Sequence, residues 1–317
     1  MPDVVALGEL LIDFTCKSTD ADGYPTMEAH PGGAPANFLA ALTNFGCKTA
    51  MLGKVGADAF GRMLVGTLQK AGIETKGLVM DPEVFTTLAF VTLDDSGDRE
   101  FSFARKPGAD TQIRFEELNL GLIDECRVFH FGSLSQTGEP ARCTTKQAVA
   151  YAKSKGKLVS YDPNLRKPLW NDLEEARSEI LWGLSQADVV KISEEEVEFL
   201  WGLDYQAGAE KLMKEFGVKL VFVTLGPDGC WFRNAVAQGH VDSLKNIHVV
   251  DTTGAGDIFG GSAMSQILKT GKEPQELTKE ELRQIVTFAC TAAGLSTTKP
   301  GGISSLPSLQ TVLDRMA

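Results

Sequence analysis

Apolar residues along the chain fall into two alternating patterns. Short β-branched and apolar runs occur at 4–14, 48–55, 128–134, 158–161, 189–192, 220–224 and 248–251. Between them lie segments with helical periodicity, at 35–45, 58–71, 173–187, 207–216, 255–269 and 279–295. In the first of these Phe38, Ala41, Leu42 and Phe45 recur at i, i+3, i+4 and i+7, and Gly46 closes the pattern. Strand runs without strict alternation, each followed by a helix or a Gly-rich turn, predict an α/β fold: a doubly wound, mostly parallel sheet with helices on both faces. One segment departs from this. The extended runs 87–93 and 99–105 flank Asp94-Asp95-Ser96-Gly97-Asp98, a hairpin signature that reads as an inserted flap. The period of two puts Phe101, Phe103 and Arg105 on one face of its second run. That face either packs on its own domain, covers a polar ligand, or meets a second copy of the chain.

Composition narrows the classes. Hydrophobic residues are 43% and charged residues 23% of 317, so the chain can bury a full core and is neither disordered nor fibrous. The net charge of −11, with no concentrated basic face, argues against nucleic acid as a partner. No basic leader opens the sequence, and no apolar run approaches the ~18 residues of a membrane span. Six scattered cysteines without a C-x-x-C pair read as reduced thiols, and the expected location is the cytoplasm, away from membranes.

Candidate chemistry concentrates in two Gly-rich loops. Asp251-Thr252-Thr253-Gly254-Ala255-Gly256-Asp257 follows an apolar run and opens a helix. Glycines there let backbone approach a ligand, and the first-turn N–H groups with the helix dipole favour an anion. Asp257 beside those donors can take the proton of a hydroxyl that attacks a phosphoryl group. Pro31-Gly32-Gly33-Ala34-Pro35-Ala36-Asn37 also ends at a helix start, where Asn37 with Asp13 can bind vicinal hydroxyls. Thr224-Leu225-Gly226-Pro227-Asp228-Gly229 and Asp162-Pro163-Asn164-Leu165-Arg166 close strands at the sheet edge where ligands of open α/β folds bind. Taken singly, each has an ordinary reading as a turn or helix cap. Absences matter too: there is no P-loop, no G-x-G-x-x-G after the first strand, no G-x-S-x-G and no metal-ligand spacing among the four histidines.

In their order along the chain, these loops resemble the two signatures of the ribokinase-like, or PfkB, carbohydrate kinases. The likeness runs from Gly8-Glu9 to Pro300-Gly301-Gly302. It implies one ribokinase-like kinase domain over 1–317, with a small β-sheet lid built from segments near 10–30 and 87–106. It also implies ATP-dependent phosphorylation of a sugar hydroxyl, with magnesium and, in many relatives, a monovalent cation such as potassium. Asp257 would be the catalytic base, with Gly254, Ala255 and Gly256 forming the anion hole. Asp13, Gly32, Gly33, Asn37, Phe103, Arg105 and Arg166 would bind the sugar, and Lys191, Thr224, Gly226 and Gly229 the nucleotide. Glu196 would reach magnesium through water, although Ser193 stands where the family's N-x-x-E motif has Asn. Asp251 and Thr253 would belong to the monovalent-cation loop. Within the family, Ala34-Pro35 and Arg105-Lys106-Pro107-Gly108-Ala109-Asp110 resemble fructokinases, so the expected product is fructose 6-phosphate. The 2-keto-3-deoxygluconate kinases share Arg105 and the D-P-N-x-R run, and a sugar acid stays open beside fructose. A non-catalytic sugar sensor on the same fold is disfavoured by the intact Asp257 and glycines. Relatives also dimerise through the lid, where Phe101 and Phe103 are the expected anchors.

Overall fold

The computed structural model describes residues 1–92 and 102–316 in full, with the backbone alone at 93 and 99–101. From its start the chain forms β1 (Val4–Leu7), β2 (Leu11–Thr19), β3 (Pro25–Gly32), α1 (Ala34–Asn44), β4 (Thr49–Gly56), α2 (Ala59–Lys70) and β5 (Glu74–Asp81). The hairpin β6 (Leu88–Leu93) and β7 (Arg99–Ala104) comes next, then α3 (Leu120–Glu125). Strand and helix then alternate: β8 (Val128–Gly132), α4 (Ala141–Ser154), β9 (Leu158–Asp162), α5 (Leu173–Gln186), β10 (Val189–Ser193), α6 (Glu194–Trp201), α7 (Tyr205–Phe216) and β11 (Leu220–Thr224). The hairpin β12 (Cys230–Asn234) and β13 (Gln238–Val241) precedes α8 (Ala255–Thr270), α9 (Lys279–Ser296) and α10 (Leu309–Met316).

The main sheet has the order β13-β12-β11-β10-β9-β8-β1-β4-β5, parallel from β11 to β5 and antiparallel at the β12–β13 edge. Alternate residues of one strand feed two cores. Val4 and Ala6 of β1 pack with Phe38, Leu39, Phe259 and Met264 under α1, α8 and α9. Val5 and Leu7 pack with Phe129, Tyr161, Ile180 and Leu212 on the opposite layer. Burial on both faces is why the strand runs lack a polar alternation. The mostly parallel, helix-flanked sheet is the architecture expected from the pattern.

A second sheet, β3-β2-β6-β7, pairs β2 parallel to β6 and antiparallel to β3. Here the two faces differ. Phe14 stacks on Phe90 with centroids 5.3 Å apart and meets Phe60 of α2 edge-on at 5.6 Å, which fastens this sheet to the main body. The opposite face carries Leu11, Asp13, Thr15, Val91 and Phe103, all facing one cleft. The loop 94–98 and the Phe101 side chain, the latter expected to anchor a second copy, lie outside the described residues.

The expected strand at 248–251 does not form. Val249 and Val250 are half-exposed, and the N–H groups of Val250 and Asp251 bond to the Thr297 carbonyl at 2.7 and 3.1 Å rather than to a neighbouring strand. Two apolar residues in a row, Val249 and Val250, are too short a signal to separate a strand from an extended linker. Conversely, β3 carries Pro25 and Pro31 and little apolar alternation, so its pattern hides it; prolines are tolerated because it is an edge strand.

Candidate active site

The chain leaves β1 toward β4 on one side, while β8 lies on the other, so the strand order reverses at β1. Such a reversal opens a crevice at the carboxyl ends of the strands. Gly8-Glu9 after β1, Asp162 to Arg166 after β9 and the start of α6 after β10 all reach that edge. Between them and the inner face of the small sheet lies a cleft of about 360 Å³.

Asp257 sits in the first turn of α8 at the floor of this cleft, 8% exposed. Two side-chain amides clamp its carboxylate: Asn37 Nδ2 donates to Oδ2 at 2.9 Å and Asn164 Nδ2 to Oδ1 at 3.4 Å. Asn164 reaches it from a left-handed backbone conformation, φ 45°, steadied by its own N–H on Asp162 Oδ1 at 3.1 Å. Burial, reinforced by Asp162 and opposed by Lys191 and the Asn37 bond, pushes the Asp257 pKa up to about 6. A group poised there is ionised at neutral pH yet basic enough to take a proton.

Backbone amides and a lysine surround it. Gly254 adopts φ 75° at the cap of α8, where a side chain would also press on the Asn37 amide. The Ala255 amide bonds the Thr252 carbonyl at 3.2 Å, and the amides of Gly254, Gly256 and Asp257 have no partner among the described residues. Lys191 lies directly beneath: its Nζ bonds Asp162 at 3.0 Å and would stand 2.8 Å from any Cβ at Gly256. Burial works against its charge, but the carboxylates of Asp162, Glu196 and Asp257 outweigh that and hold its pKa above the ordinary value. His130 is buried behind it, stacked on Phe38 at 3.7 Å and bonded to Ser160; burial holds its pKa down to about 3.

The opposite wall is acidic. Glu9 is 2% exposed, accepts the Ala34 N–H at 2.9 Å, and burial raises its pKa to about 7. Asp13 is raised to about 6 by burial, with Arg166 acting against the rise and Asp251 adding to it. Gly32 is glycine for a steric reason, because a Cβ there would fall on the Asp13 carboxylate. Gly33, at φ 116°, lies against the Glu9 backbone where a Cβ has no room. The Asn37 Oδ1 atom is buried without a hydrogen-bond partner, an acceptor left over at the site.

Arg166 lines the cleft, exposed, its guanidinium bonded among the described residues to the adjacent Leu165 carbonyl alone, at 3.3 Å. Arg105, expected beside it, does not line the cleft. It follows β7, so the strand's period of two no longer fixes its direction, and it turns inward. There its Nη2 and Nε both donate to Asp110 Oδ2, at 2.7 and 2.9 Å, and the guanidinium also donates to Thr137 Oγ1 and the Leu134 carbonyl.

Thr224, Gly226 and Gly229 lie one strand beyond, since Thr224 pairs in register with Ser193, and they form no part of the cleft wall. Gly229, at φ 101°, has its Cβ position blocked by the Val241 carbonyl. Ser193 caps α6: its Oγ accepts the Glu196 N–H at 3.2 Å while Glu196 Oε2 accepts the Ser193 N–H at 2.8 Å. Glu196 Oε1 takes the Leu165 N–H at 2.7 Å. Asp251 ties two segments together, accepting from Thr253 through Oδ1 and from the Gly301 N–H through Oδ2 at 2.9 Å. Asp162 and Asn164 lie in the D-P-N-x-R run and Glu9 in the Gly8-Glu9 pair, but the sequence assigned no role to any of the three.

The chain is similar to known proteins over nearly its whole length. Residues 1–309 match the model of the pfkB family carbohydrate kinases. "Fructokinase-1" of Zea mays is 44% identical over 315 residues, covering 98% of this chain and 96% of that protein. "Probable fructokinase-3" of Arabidopsis thaliana is 41% identical over 312 residues, covering 96% and 88%. Among solved structures, the fructokinase of Xylella fastidiosa with bound ATP superposes with a TM-score of 0.91 at 30% identity, covering 100% and 98% of the two chains. The fructokinase of Vibrio cholerae O395 in its fructose, ADP and calcium form gives 0.87 at 30% identity, covering 99% of each.

Proposed function

The chain belongs to the pfkB family of carbohydrate kinases, and on that premise we propose that it transfers the terminal phosphoryl group of ATP to the 6-hydroxyl of fructose. The observation that carries the proposal is the Asp257 carboxylate, clamped by Asn37 and Asn164 beside the unpaired amides that open α8. In this reading Asp257 takes the hydroxyl proton as the sugar oxygen bonds to phosphorus and the bond to the ADP oxygen breaks. The amides of Gly254 and Gly256 and the Lys191 ammonium balance charge on the phosphoryl oxygens, with Ala255 fixing the turn. Asp13, Gly33 and Asn37 hold sugar hydroxyls; Gly32 leaves room for Asp13; Phe103 and Arg166 close the pocket from above. Thr224, Gly226 and Gly229 form the bed of the nucleotide.

Magnesium in such a site neutralises phosphate charge. Among the described residues no group of three His, Cys, Asp or Glu side chains could grip a metal directly, and Glu196 already accepts two backbone N–H groups. That donor set fits an ion carried on the phosphates and touched through water. Asp251 and Thr253 support the loop proposed for a monovalent cation by fixing its shape. A coupled ADP-release assay over fructose, 2-keto-3-deoxygluconate, ribose and adenosine tests the reading. Fructose should give the highest kcat/KM, and a tenfold preference for the sugar acid would overturn it.

A further inference from the structure

A second cavity, of about 370 Å³, opens at the amino-terminal edge of the main sheet, on the side away from the cleft. Arg127, Lys157, Asp188 and Lys219 each stand immediately before one of the successive neighbouring strands β8, β9, β10 and β11, and all four line it. Lys153 and Lys272 add two more cations, while Glu273 is the only further carboxylate on the wall. Five cations against two carboxylates is a local excess of positive charge on a chain whose net charge is −11.

The partners sharpen the point. Asp188 is spent on Lys219 at 3.0 Å and on the Val159 N–H at 2.8 Å, and Lys272 is held by Glu281. Lys157 donates to the Asp124 carbonyl and Lys153 to Gln186, both neutral acceptors. No ion pair joins Arg127, Lys153 or Lys157 to a carboxylate among the described residues. The dipole at the end of α4 accounts for a cation at Lys153. It does not account for Arg127 and Lys157, which begin strands lying side by side, about 4.8 Å apart, where like charges repel. Val128, Ile267 and Pro274 give the cavity a buried apolar floor.

We propose that this cavity is a binding site for a small organic phosphate. An arginine fork beside two lysines matches a phosphate dianion, and the apolar floor takes the carbon body that bears it. The site lies away from the cleft, so its occupant does not compete with sugar or nucleotide.

Lysine acylation of the full-length protein, read by mass spectrometry, tests this residue by residue. The probes are fructose 6-phosphate, inorganic phosphate, and sodium chloride at matched ionic strength. Fructose 6-phosphate at millimolar concentration should slow acylation of Lys153 and Lys157 at least threefold and saturably. In Arg127→Glu, whose exposed side chain leaves the melting temperature unchanged, that protection should vanish while kcat and the fructose KM stay within twofold of wild type. Absence of protection, its reproduction by sodium chloride, or its survival in Arg127→Glu would overturn the site. Equal protection by inorganic phosphate would overturn the organic part of the assignment.

Discussion

Replacing Asp257 by Asn should destroy activity and stabilise the fold, and the two effects have one cause. Burial lifts this carboxyl from its ordinary 3.8 to about 6. At ~1.36 kcal/mol per pH unit, holding it ionised at pH 8 costs the folded state about 3 kcal/mol. Asn removes that cost but brings an NH2 group to a carboxylate clamped by two amide donors. The variant's amide oxygen can keep the shorter bond from Asn37, so at most the longer contact to Asn164 becomes donor against donor, a loss of ~1 kcal/mol. A net gain of about 1–3 kcal/mol remains. For 317 residues an unfolding entropy of ~2.1 cal/mol/K per residue gives roughly 1.5 °C per kcal/mol, hence a rise of about 2–4 °C. The raised folded pKa fixes the pH window: the penalty is complete above about 6 and disappears as the pH falls toward 3.8. Calorimetry of both proteins between pH 8 and pH 4 should therefore show a gap that closes on acidification. Turnover should fall by ~10²–10⁴. A variant that melts at or below wild type at pH 8 would refute the electrostatic account, and turnover within threefold of wild type would refute the base.

Further outcomes follow from neighbouring contacts. The kcat/KM of wild type for fructose should decline on acidification with an apparent pKa near 6, as Asp257 gains its proton, and a flat profile from pH 8 to pH 5 contradicts this. Gly32→Ala places a methyl group on the Asp13 carboxylate; a lost polar contact of ~1–3 kcal/mol should raise the fructose KM about tenfold and leave the ATP KM within twofold. Equal changes in both constants would speak for a general disturbance of α1. Arg105→Lys cannot reproduce the forked contacts to Asp110, Thr137 and Leu134, so the melting temperature should drop by several degrees with little change in fructose KM. A KM that rises sharply with no loss of stability would instead put Arg105 on the substrate.

Legibility in the sequence followed burial and periodicity. The central strands and the helices α1, α2, α5, α7, α8 and α9 announced themselves because each buries a regular apolar stripe. The edge strands β3, β5 and β13 did not, since exposed strands need no such stripe. Among site residues, those in Gly-rich loops were visible because glycine has steric consequences at a turn. Asn164 was not: its role arises from a left-handed backbone and a contact with a residue 93 positions away. Arg105 was misdirected by extending a strand's alternation one residue past its end.

The charges facing the cleft bear on the choice between a neutral sugar and a sugar acid. Arg105, the second guanidinium that would hold a carboxylate, is already neutralised by Asp110, and Lys191 is paired with Asp162. Arg166 is left on the exposed rim, against Glu9, Asp13 and Asp257 within. A ligand carboxylate would add a negative charge to a wall that already carries three acids in low dielectric. Hydroxyls meet no such opposition. Burial raises the pKa of Glu9 to about 7 and of Asp13 to about 6, so near neutrality Glu9 is divided between an acid that donates and a carboxylate that accepts. That mixture suits a polyol, whose every hydroxyl does both. The same acidic wall opposes the phosphorylated product, which has exchanged a neutral hydroxyl for a dianion beside Asp257, so the electrostatics that admit the sugar also favour release of its phosphate ester.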